Sequence, residues 1–400
     1  MHTPQPYLIS YNLTKRCNLK CKHCYLDAGE LEGRSDMPTS EVLAVIDSIA
    51  EINPSAMLIL TGGEPLLRGD IFQIVRHASD HGFTVFVGTN GTGLTGDTVE
   101  RLKESGVKGV GISLDSVREE VHDEFRGLRG AWRETVQAMD LLREGGLPFQ
   151  VQFSVTRENK GELKDMLRLS LEKGATALNI FFLVCTGRGE KSTDLSPDEY
   201  ESVITEIAEL SRDYEDRIMV RSRCAPHIFR VADRINPSLL KGLTSGCIAA
   251  KGYMRITPDG YVTPCPYIPE DGSRDMNIRH RDLKSIWYES PLFKSMREAE
   301  LGGKCGSCEY NELCGGCRAR ALALKGDLMD EDPMCGYIPD DNRREPVKPQ
   351  WRADALERLK RIPFFIRPMI KEGIERYARM KGIREITPEL LSELKKKFKR

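Results

Sequence analysis

Between residues 6 and 184, six short apolar runs alternate with five longer amphipathic stretches, and this alternation restricts the fold more than any other feature. The runs are PYLISYNL, AMLILTG, FTVFVGT, KGVGISL, FQVQFSVT and ALNIFFLV; helical spacing is expected between them, over 40–51, 70–81, 96–105, 132–144 and 162–173. Runs that are apolar at nearly every position suit strands buried on both faces, and connections of this length are crossover helices between parallel neighbours. The chain should therefore be α/β, with a partial (β/α)6 TIM-like barrel over residues 1–190. In such barrels the chemistry sits on loops that follow the C-terminal ends of the strands. The first of these loops reads CNLKCKHCY, residues 17–25.

Twelve cysteines in 400 residues require an account. The opening MHTPQPYLIS has no basic segment leading into an apolar one, and no apolar run approaches the roughly 18 residues that would span a bilayer. The expectation is a cytoplasmic chain with no membrane span, whose thiols serve metals or catalysis. Cys17, Cys21 and Cys24 then admit two metal readings. A zinc ion would need a fourth ligand, with His23 at hand. A cubane iron–sulfur cluster would have three irons held and the fourth left open for a substrate or cosubstrate.

The spacing C-x3-C-x2-C followed by an aromatic residue, here Cys17, Cys21, Cys24 and Tyr25, resembles the hallmark of the radical S-adenosylmethionine (SAM) enzymes. Other landmarks of that family recur in order. Gly62, Gly63, Glu64 and Pro65, after the second run, resemble the segment that meets the methionyl amino group. Thr89 and Asn90 in GTNGT follow the third run, and Ser113 and Asp115 in SLD follow the fourth, where the family contacts the ribose and methionyl part. Arg126 resembles an arginine near the SAM carboxylate, and Tyr25 takes the adenine-stacking position. The resemblance covers residues 7–185. It implies that Cys17, Cys21 and Cys24 are the catalytic ligands of a [4Fe-4S] cluster whose open iron chelates SAM. An electron from the cluster then breaks a carbon–sulfur bond and yields a 5′-deoxyadenosyl radical.

Seven of the remaining nine cysteines fall between residues 247 and 335. Cys247 is followed by twelve residues, Gly260, four residues and Cys265; then come Cys305, Cys308, Cys314 and Cys317 as C-x2-C-x5-C-x2-C, and finally Cys335. YMRITPDGYVTPC reads as a hairpin turning at Asp259-Gly260. Taken alone, C-x2-C pairs suit zinc ribbons. Behind a radical SAM barrel the pattern resembles the SPASM extension, here 247–340, which holds one or two auxiliary iron–sulfur clusters. That resemblance implies one cluster on Cys305, Cys308, Cys314 and Cys335, and another on Cys247, Cys265 and Cys317. The fourth ligand of the latter stays open between Cys224, another side chain, substrate and solvent.

Residues 191–246 are expected to be a helical bridge. FFLVCTGRGE before it and RCAPHIFR within it offer Arg188, Cys224 and His227 as substrate residues; the blander alternatives are buried thiols and a helix-capping histidine. With CGGCRARA, these stretches resemble the radical SAM enzymes of alternative haem biosynthesis. A neutral imidazole is the usual protein ligand of haem iron, which suggests His227 as an axial ligand.

After a linker at 341–350, the segment 351–400 carries 15 Lys/Arg against 7 Asp/Glu, a net +8 in a chain of net charge −1. It reads as a basic helical domain of two or three helices, with Pro363 and Pro368 breaking the first, Gly382 ending the second, and Thr387-Pro388 opening the last ahead of Glu389. It resembles the small C-terminal domain of light-independent protochlorophyllide reductase. No groove-reading motif for nucleic acid is present.

The combined expectation is an enzyme that oxidatively decarboxylates two propionates of iron-coproporphyrin III to vinyls, giving haem b. Its partners would be the iron porphyrin and a low-potential donor such as ferredoxin or flavodoxin. A maturase for a peptide or another metallo-cofactor, and a non-enzymatic iron–sulfur electron carrier, are the alternatives.

Overall fold

The computed structural model describes residues 5–30, 33–191, 195–240, 246–298, 300–339, 349–362, 367–380 and 383–397. All six expected strands form: β1 (Leu8–Asn12), β2 (Met57–Thr61), β3 (Thr84–Thr89), β4 (Gly109–Ser113), β5 (Phe149–Val155) and β6 (Ala177–Phe182). Each pairs in parallel with the next. Between them lie α1 (Thr39–Ile52), α2 (Ile71–Asp80), α3 (Gly96–Glu104), α4 (Glu119–Arg126), α5 (Ala131–Glu144) and α6 (Leu163–Glu172). Helix α4 had no counterpart among the expected elements. Its sequence EEVHDEFR is mostly charged, and the face it buries consists of His122, Phe125 and Arg126. Ile9, Tyr11, Leu58, Leu60, Val85, Val87, Val110 and Ile112 from the first four strands are completely buried.

Two additions widen the sheet. After α7 (Pro197–Asp213), β7 (Met219–Arg223) pairs in parallel with β6, so the bridge before α8 (Ile228–Ile235) is not wholly helical. MVRSR escapes recognition because an edge strand has no second neighbour and needs no continuous apolar run. At the other edge, β8 (Tyr253–Ile256) and β9 (Val262–Thr263) form the expected hairpin, with Ile256 opposite Val262. Strand β8 also lies parallel to β1, from Leu8 opposite Tyr253 to Tyr11 opposite Ile256. The result is a nine-stranded sheet ordered β7-β6-β5-β4-β3-β2-β1-β8-β9. The cysteine-rich extension therefore continues the barrel's own sheet. It goes on through α9 (Leu283–Glu289), α10 (Pro291–Glu298), α11 (Gly303–Ser307) and α12 (Arg318–Lys325).

Among the described residues, the C-terminal segment has three helices, α13 (Ala353–Lys360), α14 (Arg367–Met380) and α15 (Pro388–Lys397), and a parallel pair of short strands, β10 (Gln350–Trp351) and β11 (Glu385–Ile386). Its own small core gathers Ala355, Ala378, Ile386, Leu390 and Leu394. Pro368 opens α14 instead of breaking a helix, since the first turn has no use for its missing N–H. Pro363, Gly382 and most of the 341–350 linker lie outside the described residues.

Candidate active site and auxiliary cysteine sites

The loop leaving β1 carries Cys17, Cys21 and Cys24 over the C-terminal end of the sheet, and the following loops close on it. Gly63 comes so near that a Cβ there would stand 2.3 Å from Arg16 O and 3.0 Å from Cys17 Cβ. Only glycine permits that approach. The Gly63 and Glu64 amides donate to the carbonyls of Thr14 (2.7 Å) and Arg16 (2.8 Å). From the last turn of α4, the carbonyls of Arg126 and Phe125 accept from the Lys20 (3.1 Å) and Lys22 (2.9 Å) amides. Beyond β6, Gly187 at φ +58° would bring a Cβ to 2.7 Å from Cys24 O. Its neighbour Arg188 donates from Nε to Cys21 O (2.9 Å) and from Nη1 to Asp27 Oδ1 and Ala28 O (both 2.7 Å). The structure thus makes Arg188 a brace for the cysteine loop.

The residues with SAM-like counterparts form one buried group behind that loop. Glu64 Oε1 accepts from Thr89 Oγ1 (2.8 Å) and Leu66 N (3.1 Å), and Oε2 accepts from Asn90 N (2.8 Å). Burial pushes the Glu64 carboxyl up to about 7 despite these donors. Asn90 Nδ2 donates to Asn18 Oδ1 on the cysteine loop (2.9 Å), and Pro65 opens the short turn that follows Glu64. Ser113 ends β4; two residues on, Asp115 pairs with Arg126 at 2.5 Å. Burial opposes ionisation of Asp115, but Arg126 holds its carboxyl below the usual range. Arg126 Nη1 lies 3.7 Å from Cys21 Sγ, so one guanidinium serves both the carboxylate and the thiol. The Tyr25 hydroxyl accepts from Asn12 Nδ2 (3.0 Å), and its ring meets Tyr267 edge-on with centroids 5.5 Å apart.

His122, unremarked in the sequence, props this group. Its Nδ1 accepts the Asp115 N–H at 3.1 Å, which requires a neutral nitrogen, and burial lowers the imidazole to about 4. Folded protein therefore resists protonation that the unfolded chain accepts near 6.5. The stability due to this difference is present above pH 6.5 and should fall by about 1.4 kcal/mol per pH unit as pH drops from there toward 4. His122→Asn should flatten this slope in urea unfolding midpoints taken at pH 7 and pH 5. An unchanged slope would remove His122 from the account.

The thiols suit an iron–sulfur cluster. Burial pushes Cys17 up to about 12, with Glu64, Cys21 and Cys24 adding to the effect, and burial raises Cys21 as well, so these two anions are unfavourable without a cationic centre. Backbone donors already stand at the sulfurs, with Leu19 N 3.4 Å from Cys17 Sγ and Ala28 N 3.4 Å from Cys24 Sγ. Zinc would draw thiolates to about 3.8 Å from one another, given a Zn–S bond of about 2.3 Å and tetrahedral angles. Among the described residues, the one set of three His, Cys, Asp or Glu donors mutually within 4.8 Å is Asp47, His77 and His81, which contains no cysteine.

The auxiliary cysteines separate into two neighbourhoods. Cys305, Cys308, Cys314 and Cys335 line one recess together with His227 and Lys304. Cys247, Cys265 and Cys317 do not line that recess, and the ionisation of Cys224 is disfavoured first by burial and then by Cys317 and Cys247. Between the two stands Asp332, wholly buried and absent from the sequence-based site. Its Oδ2 accepts from Cys317 N (2.8 Å) and Arg320 Nη1 (2.9 Å), while its own N–H points at Cys305 Sγ (3.4 Å). His227 belongs here too. Its Nε2 lies 3.2 Å from Asp332 Oδ2 and its ring is edge-on to Tyr200, with both nitrogens closed to solvent. An iron porphyrin reaches neither nitrogen unless this region opens. Asp332, Arg320, Tyr200 and Tyr267 left no local signal, because each acts on a cysteine through folding.

The Radical SAM superfamily pattern matches residues 11–170, the iron–sulfur cluster-binding (SPASM) domain residues 247–318, and the proto-chlorophyllide reductase 57 kD subunit residues 351–395. The AdoMet-dependent heme synthase of Methanosarcina barkeri is 38% identical over 84% of this chain and 98% of its own length. The AdoMet-dependent heme synthase of Nitratidesulfovibrio vulgaris is 36% identical over 84% of this chain and 94% of its own. In shape the chain resembles Streptococcus suis SuiB bound to S-adenosylmethionine (TM-score 0.69, 19% identity, 83% of this chain, 78% of that one). A cluster loop over a parallel barrel, auxiliary cysteines on a shared sheet and these relatives agree: the chain belongs to the radical SAM superfamily, in its heme synthase family, with a SPASM extension that binds auxiliary iron–sulfur clusters.

Proposed function

We propose that this chain converts two propionates of iron-coproporphyrin III to vinyls, giving haem b, with electrons from a low-potential carrier such as ferredoxin or flavodoxin. The observation that carries the reading is the 38% identity across nearly the whole of a relative named a heme synthase. When bound, the [4Fe-4S] cluster and SAM supply a reducing electron and a radical able to take hydrogen from an unactivated carbon. The chain's part is positioning. Cys17, Cys21 and Cys24 would hold the cluster; Glu64, with Thr89 and Asn90 fixing it, would bind the methionyl amino group; Arg126, balanced by Asp115, would attract the carboxylate; and Tyr25 would contact the adenine. The interlocked loops keep water from the reacting carbon. Each propionate would lose a hydrogen atom to the 5′-deoxyadenosyl radical from the carbon β to its carboxylate, then carbon dioxide and one electron, which an auxiliary iron–sulfur cluster would accept, leaving a vinyl group.

Anaerobic reconstituted protein, given SAM, a reductant and iron-coproporphyrin III, should form 5′-deoxyadenosine and shift the porphyrin mass twice by carbon dioxide plus two hydrogens. SAM cleavage with an unaltered porphyrin would overturn the substrate assignment. It would favour the maturase reading, which is supported by a 30% identical mycofactocin maturase from Mycolicibacterium smegmatis covering 92% of this chain.

A further inference from the structure

On the outer layer of the barrel, α1 and α2 bring three donors to one point. Asp47 Oδ1 lies 2.7 Å from His77 Nε2 and 2.8 Å from His81 Nε2, and the three ligand atoms all fall within 4.8 Å of one another. We propose that Asp47, His77 and His81 form a binding site for one divalent transition-metal ion of the zinc class, which pins α1 to α2. The inference rests on neither the SPASM reading nor the porphyrin assignment.

The arrangement begins in the sequence. His77 and His81 stand four residues apart, a spacing that sets both imidazoles on one face of a helix. Helix α2 ends at Asp80, but the His81 amide still donates to His77 O (3.2 Å), which carries the helical turn through the second histidine. The two rings meet edge-on with centroids 4.8 Å apart. Ile74, Val75 and Ala78 of α2 are buried, as are Val45, Ile46 and Ile49 of α1, and all six belong to one core. Packing therefore fixes both backbones, and the donors meet with little further ordering.

One carboxylate oxygen facing two imidazole nitrogens is a chelating geometry. Without a cation, each Nε2–H donates to Asp47 Oδ1. A metal takes a lone pair at each Nε2, so the proton of each neutral imidazole moves to Nδ1. Ligand atoms about 2.0–2.2 Å from a tetrahedral zinc stand about 3.3 Å apart, so the present contacts need open by only about 0.5 Å. The Asp47 side chain is 51% exposed, which lets solvent fill the remaining positions. Two imidazoles with a carboxylate suit zinc or ferrous iron, whereas calcium and magnesium take oxygen ligands.

The position defines the role. Both histidines come just before β3, and Asp47 lies in the second half of α1, ahead of β2, so the site is at the end of the barrel away from the cysteine loop. A metal there acts on stability and touches no reacting group. Ferrous iron taken up by it during reconstitution adds iron unmatched by sulfide.

The test uses full-length protein with its iron–sulfur clusters reconstituted, dialysed anaerobically against micromolar zinc chloride, with zinc measured by atomic absorption. Wild type should retain about one zinc per chain more than the double variant His77→Gln/His81→Gln, a comparison that cancels zinc taken up by thiols. Asp47→Asn, which leaves both imidazoles, should lose the same zinc. Zinc should raise the urea unfolding midpoint of wild type and leave both variants unmoved, as expected for an ion that binds only the folded chain. None of the three side chains is buried, so iron–sulfur content and 5′-deoxyadenosine formation should match wild type in both variants. Equal zinc in wild type and the double variant would overturn the site. Zinc lost from the double variant but kept by Asp47→Asn would overturn it too, since that result marks an adventitious histidine pair only. No readout involves a porphyrin, so a failed decarboxylation leaves the result intact.

Discussion

Replacing Cys17, Cys21 and Cys24 together by alanine should abolish 5′-deoxyadenosine formation while the auxiliary clusters stay in place. The sheet does not depend on these thiols, because β1 is held by β2 on one side and β8 on the other. Iron and sulfide should fall by about a third, one four-iron cluster of three. Only the loop that spans the mouth loses its metal, and with it the path by which an electron reaches SAM. If 5′-deoxyadenosine persists above background, the catalytic cluster is elsewhere.

The second large effect is expected at Asp332. Arg320 is completely buried, with its guanidinium 4.9 Å from the Tyr200 ring centre, and Asp332 is the carboxylate paired with it. Burial works against ionisation of Asp332, but Arg320 and then His227 hold its carboxyl well below the usual range. Asp332→Ala strands a buried cation and also leaves the Cys317 amide without its acceptor. Removing one partner of a buried pair costs about 3–5 kcal/mol. Anaerobic urea unfolding should show a loss of that size, and auxiliary iron should drain on gel filtration. Asp332→Ala with Arg320→Met should recover part of the stability, since no charge is left uncompensated. A loss below about 1 kcal/mol for Asp332→Ala would mean that water reaches Arg320.

What the sequence revealed and what it hid divide along one physical line. The cysteine loop drew notice because thiols proposed to hold one centre, Cys17, Cys21 and Cys24, lie a few residues apart, so that chemistry would dictate a local spacing. The first six strands were legible because burial on both faces forces continuous apolar runs. Strand β7 was not, since at an edge Arg221 stays exposed and Ser222 and Arg223 are only half-buried, so no continuous apolar run is required. The parallel pairing of β8 with β1 joins residues more than two hundred positions apart and leaves no periodic trace. Arg188 drew notice for its two flanking glycines, but its contacts with Cys21, Asp27 and Ala28 exist only once the chain has folded back on itself. The same holds for Asp332. Its position three residues before Cys335 gives no hint that it also answers to Cys317 and, through Arg320, to Cys224.

The pairing of β1 with β8 also imposes an order in time. Strand β1 ends at Asn12 and β8 begins at Tyr253, so 241 residues of synthesis separate the two partners. At about 5–20 residues per second the ribosome takes roughly 12–50 s to deliver the second strand after the first. Through that interval the barrel has its cysteine loop but an unpaired apolar edge along Ile9 and Tyr11, the kind of edge that invites pairing with another chain. Its sheet is complete only when the cysteine-rich extension that carries β8 and β9 emerges.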